Sequence, residues 1–366
     1  MYIETLKLIN FRNYLNKEFV FTNGVNIIIG KNGAGKTSIL EAVYYLGINK
    51  SFRVSNDKEL INFSSDFFQI FGHFYNSKNQ KILVNFNCHE SMGKKAFVNG
   101  EELERLRDIV GKIPLVILSP EHENICSGTP SLRRKFVDRL LSIVDNKYFQ
   151  TIISYRKNIL ERNKILKGKR EKGDFDYDDY LSLLDENLSK ENFLIYEKRK
   201  NFFKSFNVLL ADIGLHSGCD SKSLKFIYKQ SVNTSNGLIT YHDFFNSLRD
   251  NFRKDIILTR TTTGVHIDRI NILYGDKEIK DIGSQGEQKS ALILIKLAEA
   301  EFIKRKLSEP PITLLDDLFA YLDYEHMSKV CDMLFPDFQF LITTTDISNY
   351  NRFEKSHINN VKLIEV

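Results

Sequence analysis

Cysteine is scarce and scattered in this chain. The four cysteines, Cys88, Cys126, Cys219 and Cys331, stand far apart with no C-x-x-C pair among them. Such spacing suggests neither a disulfide framework nor a zinc site, and it fits a reducing cytoplasm. Long apolar runs are also missing, none approaching the ~20 residues of a membrane span. The opening Met1–Lys7 lacks the charged-then-apolar pattern of a secretory signal. A soluble, cytoplasmic protein with no membrane role is therefore expected. The eight histidines show no ligand spacing, which leaves them core or surface roles. No internal repeat or low-complexity tract occurs. The charge is only mildly unbalanced, at net +5 with a pI near 8.7. That is compatible with nucleic acid without requiring it.

What is present is enough for a sizeable core: 366 residues, 42% of them apolar, with 28 phenylalanines. That length accommodates two domains. One stretch organises the rest. Gly30, Gly35, Lys36 and Thr37 fill the pattern G-x-x-x-x-G-K-[ST], with Lys31, Asn32, Gly33 and Ala34 between. A β-branched apolar run, Val25 to Ile29, precedes it and reads as a buried strand. Ile39, Leu40, Val43 and Leu46 follow at helical spacing. Strand, glycine loop and helix start make a phosphate cradle, because loop N–H groups and the helix dipole both face an anion. Lys36 is placed to reach β- and γ-phosphates, and Thr37 to ligate Mg2+.

Upstream, residues 1–23 read as two strands joined at Arg12-Asn13-Tyr14. Downstream, 67–75, 81–88, 95–98 and 114–118 read as short strands, with Asn99-Gly100 a turn. The texture changes at Pro130. Arg133–Arg170 carries twelve Lys/Arg against three Asp/Glu, a surplus of nine. Its apolar positions, and those from Tyr177 to Leu209, keep a helical rhythm that predicts two long helices folding back on each other around a charged break. The surplus reads either as a solvated helix face or as a DNA-contacting one. Tyr148, Phe149 and Tyr155 read as core. Residues 211–240 read as loops and strands, 241–256 as helix, His266–Leu273 as strand, 291–306 and 324–334 as helices, and 338–343 and 361–364 as strands.

Ile312-Thr313-Leu314-Leu315-Asp316-Asp317 has the form of a buried strand ending in two carboxylates. In that Walker B arrangement Asp316 holds Mg2+ and Asp317 orients the attacking water, since phosphoryl transfer needs positioning and charge neutralisation. Ser284-Gln285-Gly286-Glu287-Gln288 precedes a strong helix. It reads as a helix cap; in this order along the chain it also resembles the signature of ABC-type ATPases, which implies binding to the γ-phosphate of a partner's nucleotide.

Taken together, these segments resemble the RecF family of SMC/Rad50-like ATPases over essentially the whole chain. The resemblance is carried by Leu8–Tyr14, by Gly30–Ala42 (with Lys31 where proline is more usual), by Ser119-Pro120-Glu121 and by Gly128–Asp138. Tyr155, Leu160, Arg162-Asn163, Ser284-Gln285-Gly286 and Leu314–Asp323 complete it. Gly264-Val265-His266-Ile267-Asp268 departs from the family's Gly-Pro-His-Arg-Asp, with Arg269 nearby. Thr343-Thr344-Thr345 stands where transporter ATPases carry a switch histidine.

The resemblance implies an α/β fold: a P-loop ABC-type ATPase head with a mostly helical second lobe. Residues 1–125 plus 255–366 would form lobe I, the ATPase core, and 126–254 lobe II. Implied cofactors are ATP and Mg2+. Arg12 could reach the nucleotide, and Arg53 resembles the arginine by which such heads sense DNA; a solvated surface charge is the alternative for each. Implied partners are DNA at single-strand/double-strand junctions and duplex DNA, RecR and through it RecO and RecA, and a second copy of the chain in an ATP-dependent homodimer. Another SMC-like head, or a transporter-type ATPase not acting on DNA, is the alternative reading.

Overall fold

The computed structural model describes residues 1–119, 124–217, 224–232, 238–282, 285–317, 338–348 and 360–366. Several sequence expectations lie outside them: Ser284, Pro120-Glu121, the stretch from Leu318 to Asp323, the helix at 324–334, Cys219 and Cys331.

The elements run β1 (Tyr2–Phe11), β2 (Tyr14–Val20), β3 (Val25–Ile29), α1 (Lys36–Ile48), β4 (Phe67–Tyr75), β5 (Lys81–His89), β6 (Gly93–Val98), β7 (Glu101–Glu102) and β8 (Leu115–Leu118). Then come α2 (Asn124–Ser127), α3 (Pro130–Val144), α4 (Asn146–Lys172), α5 (Asp179–Ser217), β9 (Leu224–Lys229), α6 (Tyr241–Asp250) and α7 (Phe252–Leu258). β10 (Arg269–Tyr274), β11 (Lys277–Glu278), α8 (Ile279–Ile282), α9 (Gln285–Leu307), β12 (Ile312–Leu315), β13 (Phe340–Thr344) and β14 (Val361–Glu365) complete them. The chain divides into two compact units, one of Met1–Asn124, Leu209–Lys222 and Gly283–Val366, the other of Ile125–Val208 and Ser223–Ile282.

The first unit holds two sheets. One is antiparallel, ordered β2-β1-β4-β5-β6-β7, and β4 shows why: its residues alternate strictly between half-buried and buried. The other is parallel, ordered β14-β3-β13-β12-β8. Strands β12 and β13 inside it and β8 at its edge are buried at every position, the continuous apolar run typical of parallel sheets. Helix α1 touches strands of both sheets, and every residue from Ser38 to Gly47 is buried. Spacing alone marks one apolar stripe on α1; two covered sides explain why Tyr44, Tyr45 and even Glu41 are buried as well.

In the second unit, helical rhythm runs from Arg133 to Arg170 without a visible interruption, yet the structure breaks it at Asp145. That residue ends α3 and caps α4, its side chain accepting from the Tyr148 N–H at 3.0 Å. The segment therefore forms two helices before the charged turn, and α5 makes a third where two in all were expected. Tyr148 and Tyr155 are core residues, 0% and 1% exposed.

The surplus of basic residues is not uniformly on the surface. Arg133 and Arg162 within it, and Arg199 on α5, are fully buried. Arg162 donates to both oxygens of Asp185 (2.7 and 3.3 Å), to Asp255 (2.6 Å), to Thr261 Oγ1 (3.0 Å) and to the Leu248 carbonyl (3.2 Å). All five guanidinium N–H groups are used, which is the condition for keeping that charge away from water. Arg199 pairs with Asp138 at 2.7 Å. Burial alone would raise the Asp138 carboxyl, but Arg199, Tyr148 and Arg156 outweigh it and hold the pKa below the usual carboxylate range.

Candidate nucleotide site

Parallel sheets offer ligands a crevice at the carboxyl ends of their strands, and Gly30–Thr37, Asp316 and Asp317 lie at such an end in the first unit. β3 runs into the loop Gly30–Gly35 and then α1. Gly33 has φ 81° and Gly35 φ 105°, a left-handed backbone that side chains disfavour. A Cβ on Gly35 would come within 2.5 Å of Asn13 Nδ2 and 2.6 Å of the Tyr14 hydroxyl. The hairpin at Arg12–Tyr14 thus braces the loop from behind, with Asn13 Nδ2 donating to the Ala34 carbonyl at 3.0 Å. Tyr14 is buried there, and burial pushes its hydroxyl up to about 12.

Gly35 caps α1, whose first turn holds no acidic residue. The positive end of the helix is therefore left for an anion. Lys36 Nζ donates to the Gly30 carbonyl (2.8 Å) and the Lys31 carbonyl (3.0 Å), so the ammonium lies across the loop. Lys31, Asn32 and Gly33 are exposed.

The strand order accounts for the rest of the site. β13 lies between β3 and β12, so its last residues stand between the phosphate loop and the carboxylates after β12. Thr37 Oγ1 donates to Asp316 Oδ1 at 2.9 Å. Thr343 Oγ1 donates to the same oxygen at 2.8 Å and accepts the Asp317 N–H at 2.8 Å. Asp316 is 6% exposed, whereas Asp317 is exposed with φ 53°. One threonine thus sets the direction of both carboxylate residues. Thr37 and Asp316 place two hard oxygen donors side by side, the type of donor Mg2+ takes.

A cavity of about 770 Å³ opens here, lined by Arg12, Asn13, Asn32, Gly33, Gly35, Lys36, Thr37, Asp316, Asp317 and Thr343, among others. Arg53 and Phe63 also line it. Arg12 is held by a fork on Glu41, at 2.9 Å from Nε and 2.8 Å from Nη2, with Nη1 on the Glu59 carbonyl at 3.0 Å. Glu41 is completely buried and also receives the Ser51 hydroxyl. Gln285 opens α9, and Gly286 is exposed in its first turn.

His266 and Asp268 do not line this cavity; both belong to the second unit. His266 Nε2 faces the Thr261 carbonyl at 3.1 Å, so that nitrogen donates, and Nδ1 accepts the Tyr155 hydroxyl at 2.6 Å. Asp268 accepts the Ser231 N–H at 2.8 Å and the Tyr228 hydroxyl. The motif builds a polar core. Arg269, beside it, is exposed on β10.

Sequence reasoning missed Glu41, Asn13 and Phe63. Glu41 reads as an ordinary polar helix position, and only the covering of both sides of α1 reveals it as Arg12's partner.

Fold and site together define an ATPase head of the SMC type, an α/β P-loop architecture. The RecF/RecN/SMC N-terminal domain family matches residues 2–362. The DNA replication and repair protein RecF of Clostridioides difficile is 31% identical over 98% of this chain and 95% of that one. A structure of the recombination mediator RecF with ATP, from the RecFOR pathway, is 28% identical over 99% of this chain and 95% of its own, with TM-score 0.89. The Smc head domain of Pyrococcus furiosus, 18% identical over 96% of this chain and 91% of its own, shares the fold at TM-score 0.52. The chain belongs to the RecF family. Among its described residues no helix is long and apolar enough to cross a membrane.

Proposed function

We propose that this chain is an ATP-dependent DNA-binding recombination mediator with slow, DNA-dependent ATP hydrolysis, acting at single-strand gaps and junctions. The observation that carries the ATPase reading is the convergence of the Thr37 and Thr343 hydroxyls on one Asp316 oxygen at the mouth of a glycine loop. Gly30–Gly35 and the start of α1 hold the triphosphate through backbone N–H groups, with Lys36 on its outer phosphates. Arg12 spends three of its five N–H groups on Glu41 and Glu59, which leaves two for a phosphate. Mg2+, held by Thr37 and Asp316, would neutralise charge on the phosphates. Asp317, turned outward by its left-handed backbone, orients water.

Ser284-Gln285-Gly286 serves the nucleotide of a second copy, so that two chains close head to tail on two ATP molecules and hydrolysis lets them part. The DNA, RecR and RecO parts of the reading are supported by relatives of this family named for DNA repair and the RecFOR pathway; action on RecA follows from the mediator reading. Exposed Lys157, Lys164, Lys167, Arg170 and Lys172 on α4 are available to DNA phosphates. Contacts of that kind give strong salt dependence and little sequence preference. ATP turnover measured without DNA, with duplex and with gapped duplex tests this. Turnover should rise with DNA, most with the gapped form. Turnover indifferent to every DNA would refute the mediator reading and leave only the nucleotide site.

A further inference from the structure

Phe63 has no place in the phosphate chemistry, yet it lines the same cavity as Lys36 and Thr37. Its side chain is fully exposed, at 108% the most exposed of the large apolar residues described. A single exposed apolar side chain is ordinary on a protein surface. This one differs because the loop beneath it is braced. The Asn62 N–H donates to the Asn10 carbonyl at 2.8 Å, and the Ser65 N–H returns to the Asn62 carbonyl at 3.0 Å. Asn10 Nδ2 reaches Ser65 Oγ at 2.9 Å, and Asn62 Nδ2 donates to the Arg12 carbonyl. Ile61, also in the cavity wall, bridges to Phe11. Phe63 is thus set in the cavity wall by backbone fixed on either side of it.

We infer that Phe63 is the stacking platform for the base of the nucleotide whose phosphates occupy the Gly30–Thr37 loop. This rests on the nucleotide reading of the cavity. A triphosphate carries its base on a ribose away from the phosphate loop, and an exposed aromatic residue in the wall can supply the flat apolar partner that a base needs. Recognition here is by the face of the base. Of the two side chains that flank Phe63, the Asn62 amide already serves the Arg12 carbonyl and Ser64, and the Ser64 hydroxyl is donated to Asn62. Stacking is tolerant of base identity, so ATP and GTP should bind with similar affinity, and both better than a triphosphate with no base.

The chain contains no tryptophan, so Phe63→Trp places a single indole at the site. ATP and ADP should quench its emission alike, and inorganic tripolyphosphate should leave it unchanged. By calorimetry, Phe63→Ala should weaken ATP and ADP roughly tenfold, the lower range for loss of one base–aromatic stack. The same variant should leave tripolyphosphate binding unaltered, and Phe63→Tyr should restore nucleotide affinity. Unchanged ADP affinity in Phe63→Ala would overturn the inference. So would quenching by ATP alone that grows with protein concentration, which would mean the ring is covered by a second copy. Failure of the unaltered chain to bind either nucleotide would remove the cavity reading itself, and this inference with it.

Discussion

Replacing Arg12 by alanine should destabilise the first unit by about 3 kcal/mol. Glu41 is completely buried and Arg12's side chain is 20% exposed. Without the guanidinium, the carboxylate keeps only the Ser51 hydroxyl. Breaking a buried pair from one side costs roughly 3–5 kcal/mol, because a charge is left without compensation; the partial exposure of Arg12 favours the lower end. Arg12→Ala combined with Glu41→Gln removes the stranded charge, so the double variant should recover about half of the loss. Urea midpoints at constant slope measure the difference. Nucleotide affinity should fall in Arg12→Ala and stay low in the double variant, because two of the Arg12 N–H groups are assigned to phosphate. An Arg12→Ala protein as stable as the parent would refute the reasoning, as would a double variant no more stable than the single one.

Asp317→Asn should trap the ATP-bound dimer, binding ATP normally while single-turnover hydrolysis falls at least tenfold; unchanged turnover would show that the carboxylate does not act on the attacking water. His266 gives a pH dependence. Burial pushes its imidazole below the ordinary 6.5, ahead of the opposing Thr261 and Asp268 contributions. The unfolded chain therefore binds the proton more readily, so stability is full above about pH 6.5 and declines as pH falls through that value. Melting curves between pH 7.5 and 5.5 should show this decline, and His266→Gln should flatten it; an equal slope in the variant would assign it elsewhere.

Much of the first unit was legible because its signals are local. β3, the glycine loop and the start of α1 are contiguous, and the strand ending in Asp316-Asp317 carries its own period and carboxylates. Thr343 was legible only as the end of a strand and, by resemblance, as the place of a switch histidine; that its hydroxyl holds both Asp316 and Asp317 is a tertiary fact. What was illegible depends on residues distant in sequence. Arg162 stands in a strongly basic segment, and a count of charges cannot show that Asp185 and Asp255 meet it in the interior. Glu41 looks solvated until both sides of α1 are covered. Phe63 sits in a polar loop whose bracing by Asn10 and Arg12 is a tertiary fact. The break at Asp145 was missed because the apolar rhythm continues through it; a capping side chain, and no loss of period, ends the helix.

If ATP is shared between two copies of this chain, light scattering of the purified protein should show a monomer without nucleotide and with ADP, and a dimer with ATP. Lys36→Ala should stay a monomer throughout. A mass that ignores ATP, or a Lys36→Ala protein that still dimerises on ATP, would contradict that sharing and reduce Ser284-Gln285-Gly286 to a helix cap.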